Sequence, residues 1–246
     1  MKILVCISKV PDTTAKISFT DNNTAFDTNG VQFIMNPYDE WYALVRAVEL
    51  TEGGKGETTV INVGPATNDA IIRKGLAIGA DKAVRVDAEA TSAHVVAQEI
   101  ANYAKDKGYD LILTGKETID YNGSELGAMI AEMLNQPYVS YASHMEVAGT
   151  TASIKRDIEG GVELLDVDLP AVVSAAKGMA EQRIPNMRGI MMAKRKPLEV
   201  VAASAGSGHV AVQSYMLPAA KGSVTLVDPD NMDELVRLLH EEAKVI

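Results

Sequence analysis

Cysteine is almost absent from this chain. Its 246 residues contain one, Cys6, inside the first apolar run. No disulfide can form within the chain, and such usage fits a reducing compartment. Long apolar runs are lacking too: none approaches the roughly 18 residues of a membrane helix, so no membrane insertion is expected. Positive charge is short, with 23 Lys and Arg against 33 Asp and Glu and a formal net charge of −10. That balance argues against nucleic acid, which needs a basic face to neutralise its phosphates. His94, His144, His209 and His240 are scattered, and Cys6 has no neighbouring cysteine, so no metal-ligand constellation is visible. No G-x-S-x-G, P-loop or G-x-G-x-x-G occurs. No pair of carboxylates singles out an acid and a base, so no catalytic residue is expected. Met1-Lys2 leads straight into a strand, so no signal peptide is expected and the expected location is cytoplasmic.

What is present reads as a globular α/β chain. It is 47% hydrophobic and 23% charged, the range of globular proteins, and its length fits one large domain or two small ones. Ile3 to Ile7 is a short, β-branched apolar run, which predicts a central strand. Lys16–Phe19 and Gln32–Ile34 read as short edge strands. Asn36-Pro37 then predicts a helix start, with Asn36 as cap and Pro37 at the first turn. Asp39 and Glu40 place negative charge where the dipole favours it. Trp41, Leu44, Val45 and Val48 form the apolar stripe, and Gly53-Gly54 ends it. Strands at Thr58–Val63 and Ala83–Val86 follow, with helices from Asp69 to Ile78 and from Thr91 or Ser92 to about Lys107. Such alternation predicts an open, mostly parallel, doubly wound sheet with helices on both faces.

The stretch from Leu111 to Ala131 organises the functional reading. Leu111, Ile112 and Leu113 read as a buried strand. A polar loop runs from Lys116 to Ser124, and Leu126, Met129, Ile130 and Leu134 recur at helical spacing. Ligands of open parallel sheets bind beyond the carboxyl ends of the strands, where such loops lie. Gly115, Gly123 and Gly127 would let backbone approach a ligand, and the first amides of the helix suit phosphate. An ordinary strand-to-helix turn capped by Ser or Asn gives the same pattern, since one glycine-rich loop has low specificity.

After Pro137 the texture changes. Val139–Tyr141, Ala152–Ile158, Val162–Leu169 and Leu169–Ala175 read as strands joined by tight turns, with a hairpin at Gly160-Gly161. Gln182–Pro197 is basic and carries Met187, Ile190, Met191 and Met192; an amphipathic connector helix would look the same. Ala202–Gly208 has linker composition, and the tail from Asp230 to Ile246 reads as an amphipathic helix. Two units are expected: 1–201, a nucleotide-binding α/β domain, and 202–246, a linker and helix.

Laid out in this way, the chain resembles the β subunit of electron-transfer flavoprotein. The resemblance rests on Ile3-Leu-Val-Cys-Ile-Ser-Lys-Val-Pro-Asp12, on Asn36-Pro37 before an acidic helix start, and on Gly64-Pro65-Ala66 and Gly79-Ala80-Asp81. It continues through Gly115-Lys116, Ile119-Asp120 and Gly127, and is most specific from Ile154 to Val173. It implies a heterodimer with an α subunit that holds most of a redox-active FAD. The β chain would bind a second adenine nucleotide: AMP is favoured, and a second FAD is the alternative. The implied nucleotide residues are Cys6, Asn36, Val63, Gly64 and the loop Gly115, Lys116, Glu117, Thr118, Ile119, Asp120, Tyr121, Asn122, Gly123, Ser124, Glu125, Leu126 and Gly127. Tyr121–Glu125 matches neither the acidic cluster of AMP-binding members nor the motif of bifurcating ones. Thr13 and Asp157 would approach the FAD shared with the α subunit. Arg183, Met187, Arg188, Ile190 and Met191 would dock acyl-CoA-type dehydrogenases, with Met187 where the family has an anchoring leucine. The 202–246 unit would wrap the α subunit. The resemblance implies an electron carrier, not an enzyme, delivering to a membrane quinone oxidoreductase. In the alternative, a bifurcating assembly, the second FAD takes hydride from NADH. A free-standing nucleotide module of the stress-protein type would stop near Pro137.

Overall fold

The computed structural model of the chain describes residues 1–204 and 208–246. Part of the expected linker, 205–207, lies outside the described residues. In chain order the strands are β1 (Lys2–Cys6), β2 (Lys9–Pro11), β3 (Phe19–Thr20), β4 (Ala25–Phe26), β5 (Phe33–Met35), β6 (Glu57–Val63), β7 (Lys82–Asp87), β8 (Leu111–Gly115), β9 (Tyr138–Ala148), β10 (Thr151–Ile158), β11 (Gly161–Asp168), β12 (Ala171–Ala175) and β13 (Leu198–Ala202). The helices are α1 (Asp39–Thr51), α2 (Asp69–Ile78), α3 (Ala93–Ala104), α4 (Leu126–Leu134), α5 (Met187–Ala193) and α6 (Met232–Arg237).

The main sheet is nine-stranded, in the order β11-β10-β9-β12-β8-β1-β6-β7-β13. From β9 to β13 in that order all neighbours run parallel. Beyond β9, β10 and β11 continue it as an antiparallel ribbon. Alternation along each strand divides the core between two faces. Ile3, Val5, Leu111 and Leu113 pack with Leu44, Val48, Ile72 and Leu76 of α1 and α2. Leu4, Cys6, Ile61 and Ile112 pack with Ala97, Ile100, Ile130 and Ala131 of α3 and α4. Helices therefore cover both faces, as the alternating pattern requires. A fully buried Leu or Ile of these layers contributes roughly 1.5–3 kcal/mol.

Several local expectations change. Lys16–Ser18 is not strand; the hairpin is the two-residue pair β3–β4. Helix α1 starts at Asp39, after Tyr38 at φ 65° with no side-chain cap. Asn36 is not the cap, because its buried amide is engaged with a distant loop. No Ser or Asn side chain caps α4: its N-cap is Glu125, without a side-chain bond. The connector segment Gln182–Pro197 shortens to α5, capped by Asn186, whose Oδ1 accepts from the Gly189 N–H at 2.8 Å. The expected unit boundary at 201/202 falls inside β13. The C-terminal helix is confined to α6 and one π-type turn over Leu238–Glu242.

Candidate functional site

Two neighbouring strands create the crevice. From β1 the chain proceeds to β6 on one side, and from β8 it proceeds through α4 to β9 on the other. Their carboxyl ends, Cys6-Ile7-Ser8 and Thr114-Gly115-Lys116, flank the point where the winding reverses. That is where ligands of open α/β sheets sit.

Asn36 ties the loop beyond β8 to this point. It is fully buried. Its Nδ2–H donates to the Glu117 carbonyl at 3.2 Å, and its Oδ1 accepts from the Ile119 N–H at 3.0 Å. Its own backbone N–H donates to the Ser8 carbonyl at 2.9 Å, so this one residue, through side chain and backbone together, joins the ends of both strands. Lys116 pairs with Glu117 at 3.0 Å and stands 3.9 Å from Asp39. That bond holds Glu117 below the ordinary carboxylate range. Burial pushes Asp39 up, outweighing the distant lysine. Further round the loop, the Asn122 N–H donates to the Thr118 carbonyl at 3.0 Å, the Ser124 hydroxyl to Glu117 at 3.2 Å, and the Tyr141 hydroxyl to Ser124 at 3.4 Å. Tyr121 at the tip is exposed, as are Asp120 and Gly123.

Beneath the crevice lies an acid that the sequence reading treats only as a dipole partner. Glu40 is 2% exposed. Its two oxygens accept from the Ser8 N–H and the Ser8 hydroxyl, each at 2.6 Å. Burial, opposed only by these bonds, pushes its carboxyl up to about 8. The same burial, with Glu40 nearby, pushes the Cys6 thiol up. A Cβ at Gly115 would stand 2.8 Å from Glu40 Cγ and from its backbone N, so only glycine lets α1 meet the end of β8 this closely. A signal was available: Glu40 shares the helical stripe of Leu44, Ala47 and Val48.

The start of α4 bounds the crevice on the other face. A Cβ at Gly127 would meet Tyr138 Cε2 at 2.7 Å and Thr114 Oγ1 at 3.0 Å. Tight helix–strand packing therefore already requires this glycine, apart from any ligand. Thr114 is 1% exposed, and its hydroxyl oxygen has no partner among the described residues. An orphaned hydroxyl beside uncapped helix amides is a receptive place for an anionic or polar ligand group. Thr114 escaped the sequence reading, although it follows Ile112 on the α4 face of the strand. At the neighbouring corner, Val63 is buried, the Asn62 amide donates to the Ile7 carbonyl at 2.8 Å, and Arg85 donates to the Gly64 carbonyl at 3.0 Å. A cavity of about 280 Å³ opens beside the loop between Tyr38 and Lys116, with Lys177 on its rim. A larger concavity, about 380 Å³, lies on the β9–β11 ribbon around Ile154 and Leu164. It is away from the carboxyl ends of the parallel strands.

Cys6, Val63 and Gly115 thus lie at the carboxyl ends of the adjacent strands β1, β6 and β8, Gly64 follows Val63, Asn36 bonds the loop at Glu117 and Ile119, and Leu126 and Gly127 open α4. Thr13 and Asp157 are both exposed, and neither is hydrogen-bonded to the crevice. The segment from Arg183 to Met191 stands elsewhere. Arg183 pairs with Glu52 and lies 3.9 Å from Glu49, and the Trp41 indole donates to its carbonyl at 3.2 Å. Arg183 is therefore an anchor on α1 and not a free surface cation. Behind α5, Arg73 donates to the Ala193 and Lys196 carbonyls, each at 2.7 Å, and Lys196 to the Ala80 carbonyl at 2.5 Å. On this footing Met187 is 74% and Met191 65% exposed, and Ile190 is exposed beside them. Arg188 makes no ion pair among the described residues. Among the described residues no cluster of three metal-ligating side chains occurs and no helix is long and apolar enough to cross a membrane.

Comparison with known proteins adds a consistent set of similarities. The family model described as "Electron transfer flavoprotein domain" matches residues 23–206. The chain is 34% identical to the electron transfer flavoprotein subunit beta of Bacillus subtilis, over the whole of both chains. It is 36% identical to that of Syntrophomonas wolfei over 91% of this chain and 88% of the relative. It is 35% identical to that of Homo sapiens over 82% and 81% respectively.

Proposed function

The chain belongs to the electron transfer flavoprotein β-subunit family, and on that premise we propose that it binds AMP in the β1/β8 crevice while its α subunit partner holds FAD. It is an electron carrier subunit rather than an enzyme. The observation that carries the nucleotide reading is the orphaned Thr114 hydroxyl beside the uncapped start of α4. The amides near Gly127 would face phosphate, and Thr114 would donate to it or to a ribose oxygen. Asn36 holds the loop at its Glu117 carbonyl and Ile119 N–H, so those groups need not order when ligand arrives. Lys177 lines the cavity beside the loop, where Lys116 is paired with Glu117.

FAD, bound at the junction with the α subunit, supplies the reversible electron chemistry. In this reading Thr13 and Asp157 are the exposed polar groups of this chain that meet it. The apolar side chains of the C-terminal arm, among them Val210, Met216, Leu226 and Val236, are exposed and would cover the α subunit. The face of α5 would dock an acyl-CoA-type dehydrogenase, with Met187 as an adaptable anchor and Arg188 as the steering charge. Electrons would then pass to a membrane quinone oxidoreductase. The test is to denature the purified αβ complex and separate the released nucleotides. One AMP and one FAD per heterodimer support the carrier; two FAD and no AMP replace it with a bifurcating assembly.

A further inference from the structure

The C-terminal arm returns to the nucleotide loop through one residue. All three phenylalanines of this aromatic-poor chain, Phe19, Phe26 and Phe33, lie in the excursion between β2 and α1. Phe19 faces Phe26 across the β3–β4 pair, and Phe26 meets the edge of Phe33 at 6.5 Å. Tyr215 comes from the far end of the sequence and completes this cluster. Its ring stacks on Phe19 at 4.8 Å with the planes 8° apart, and its N–H donates to the Asn23 carbonyl at 2.7 Å. Its hydroxyl then lies 3.5 Å from the hydroxyl of Tyr121, at the exposed tip of the loop that Asn36 ties down. Neighbouring residues of the arm make no comparable contact: Met216 is 91% exposed and Leu217 52%.

We propose that Tyr215 is a latch that couples the C-terminal arm to the nucleotide loop, so that a bound adenine nucleotide and a seated arm stabilise each other. This deepens the nucleotide reading and depends on it. The physical reason is the placement of two contacts on one ring. The Phe19 stack and the Asn23 bond fix the arm to the N-terminal excursion. The hydroxyl stands 3.5 Å from the loop tip, within reach of Tyr121. When the loop is ordered by ligand, Tyr121 stands where Tyr215 can reach it. When the arm is seated, Tyr121 is held and the loop has fewer conformations to lose on binding. Coupling of this kind is reciprocal: whatever the arm adds to nucleotide affinity, the nucleotide adds to seating of the arm.

The test uses the αβ heterodimer with wild-type β chain, Tyr215→Ala, Tyr215→Phe and Tyr121→Ala. Two quantities are read: the dissociation rate of radiolabelled AMP, and the rate of tryptic cleavage after Lys221 with nucleotide present and stripped. The coupling passes through the hydroxyl contact, and one hydrogen bond corresponds to about two- to tenfold in an equilibrium, so Tyr215→Ala should release AMP up to about tenfold faster. Tyr215→Phe keeps the stack but loses the hydroxyl that reaches Tyr121, so it should release AMP as fast as Tyr215→Ala while its arm stays seated. Stripping nucleotide should speed cleavage after Lys221 in wild type and leave it unchanged in Tyr215→Ala and Tyr121→Ala. Tyr121 is exposed, so its variant reads the coupling even if Tyr215→Ala fails to assemble. Equal AMP release in wild type and both alanine variants, with cleavage indifferent to nucleotide, overturns the latch and leaves the nucleotide site standing. A wild-type complex that retains no adenine nucleotide overturns both.

Discussion

Replacing Glu40 by glutamine should remove a specific part of the protein's pH dependence. Glu40 is 2% exposed, bonded only by Ser8, and its carboxyl is pushed up to about 8 from an ordinary 4.5. Desolvation is the largest cause; Asp39 and Asp120 add to it, and Lys116 is committed to Glu117. The sign follows from proton binding. Between pH 4.5 and about 8 the folded protein keeps this proton and the unfolded chain has lost it. Glu40's contribution to stability is therefore greatest below pH 4.5, falls across that window, and levels off above about 8. Each tenfold difference in proton affinity between the folded and unfolded chain is worth about 1.36 kcal/mol. With relaxation of the buried site reducing the full value, the loss is roughly 3–5 kcal/mol. Glutamine is neutral throughout and can still accept from the Ser8 N–H. Glu40→Gln should thus match wild type near pH 5 and exceed it at pH 9 by a few kcal/mol. Urea unfolding of both assembled proteins at fixed concentration, from pH 5 to 9, measures this difference. A pH slope that the variant shares with wild type refutes the assignment of the proton to Glu40.

Three other substitutions probe the same geometry. Asn36→Ala deletes the bonds to Glu117 and Ile119, about 1 kcal/mol each, and should lower Tm by about 4–8 °C for a chain of this size; AMP should then give a smaller thermal shift than in wild type, read by calorimetry. Gly127→Ala places a Cβ 2.7 Å from Tyr138 and should cost roughly 1–3 kcal/mol; melting of nucleotide-free protein should already show the loss, and Tyr138→Leu should recover part of it. Met187→Ala should slow flavin reduction by a reduced acyl-CoA-type dehydrogenase without changing αβ assembly or nucleotide content, while Arg188→Ala should act mainly at low salt, both read by stopped-flow absorbance.

The sheet was legible because its strands carry short apolar runs and its helices a 3.6-residue stripe: Ile3–Ile7, Leu111–Leu113 and the Asp69–Ile78 pattern all lie where the periodicity puts them. The start of α1 was misplaced because Asn36 satisfies the capping rule locally while its amide bonds a loop 83 positions away in sequence, at Ile119. No local rule contains that partner. The cap of α4 was misplaced for a related reason, since Ser124 turns back to Glu117. Gly127 was legible as a glycine that something must approach closely; Tyr138 and Thr114 already do so, and they arrive from separate strands. The pairing of Arg183 with Glu52, and its place 3.9 Å from Glu49, could not be read from its basic neighbours, because those acids come from a distant segment. Tyr215 carried no signal at all, because its partners Phe19, Asn23 and Tyr121 lie some hundred residues or more before it.

The place where nucleotide binds is the central claim. Hydrogen–deuterium exchange of the αβ complex, stripped of nucleotide and then reloaded with AMP, measures this without altering a residue. Slower exchange on reloading should concentrate at Ile119, along the loop to Glu125, and at the first turn of α4. Unchanged exchange across 115–130, with protection appearing instead on the β9–β11 ribbon or nowhere in this chain, contradicts the crevice as the nucleotide site.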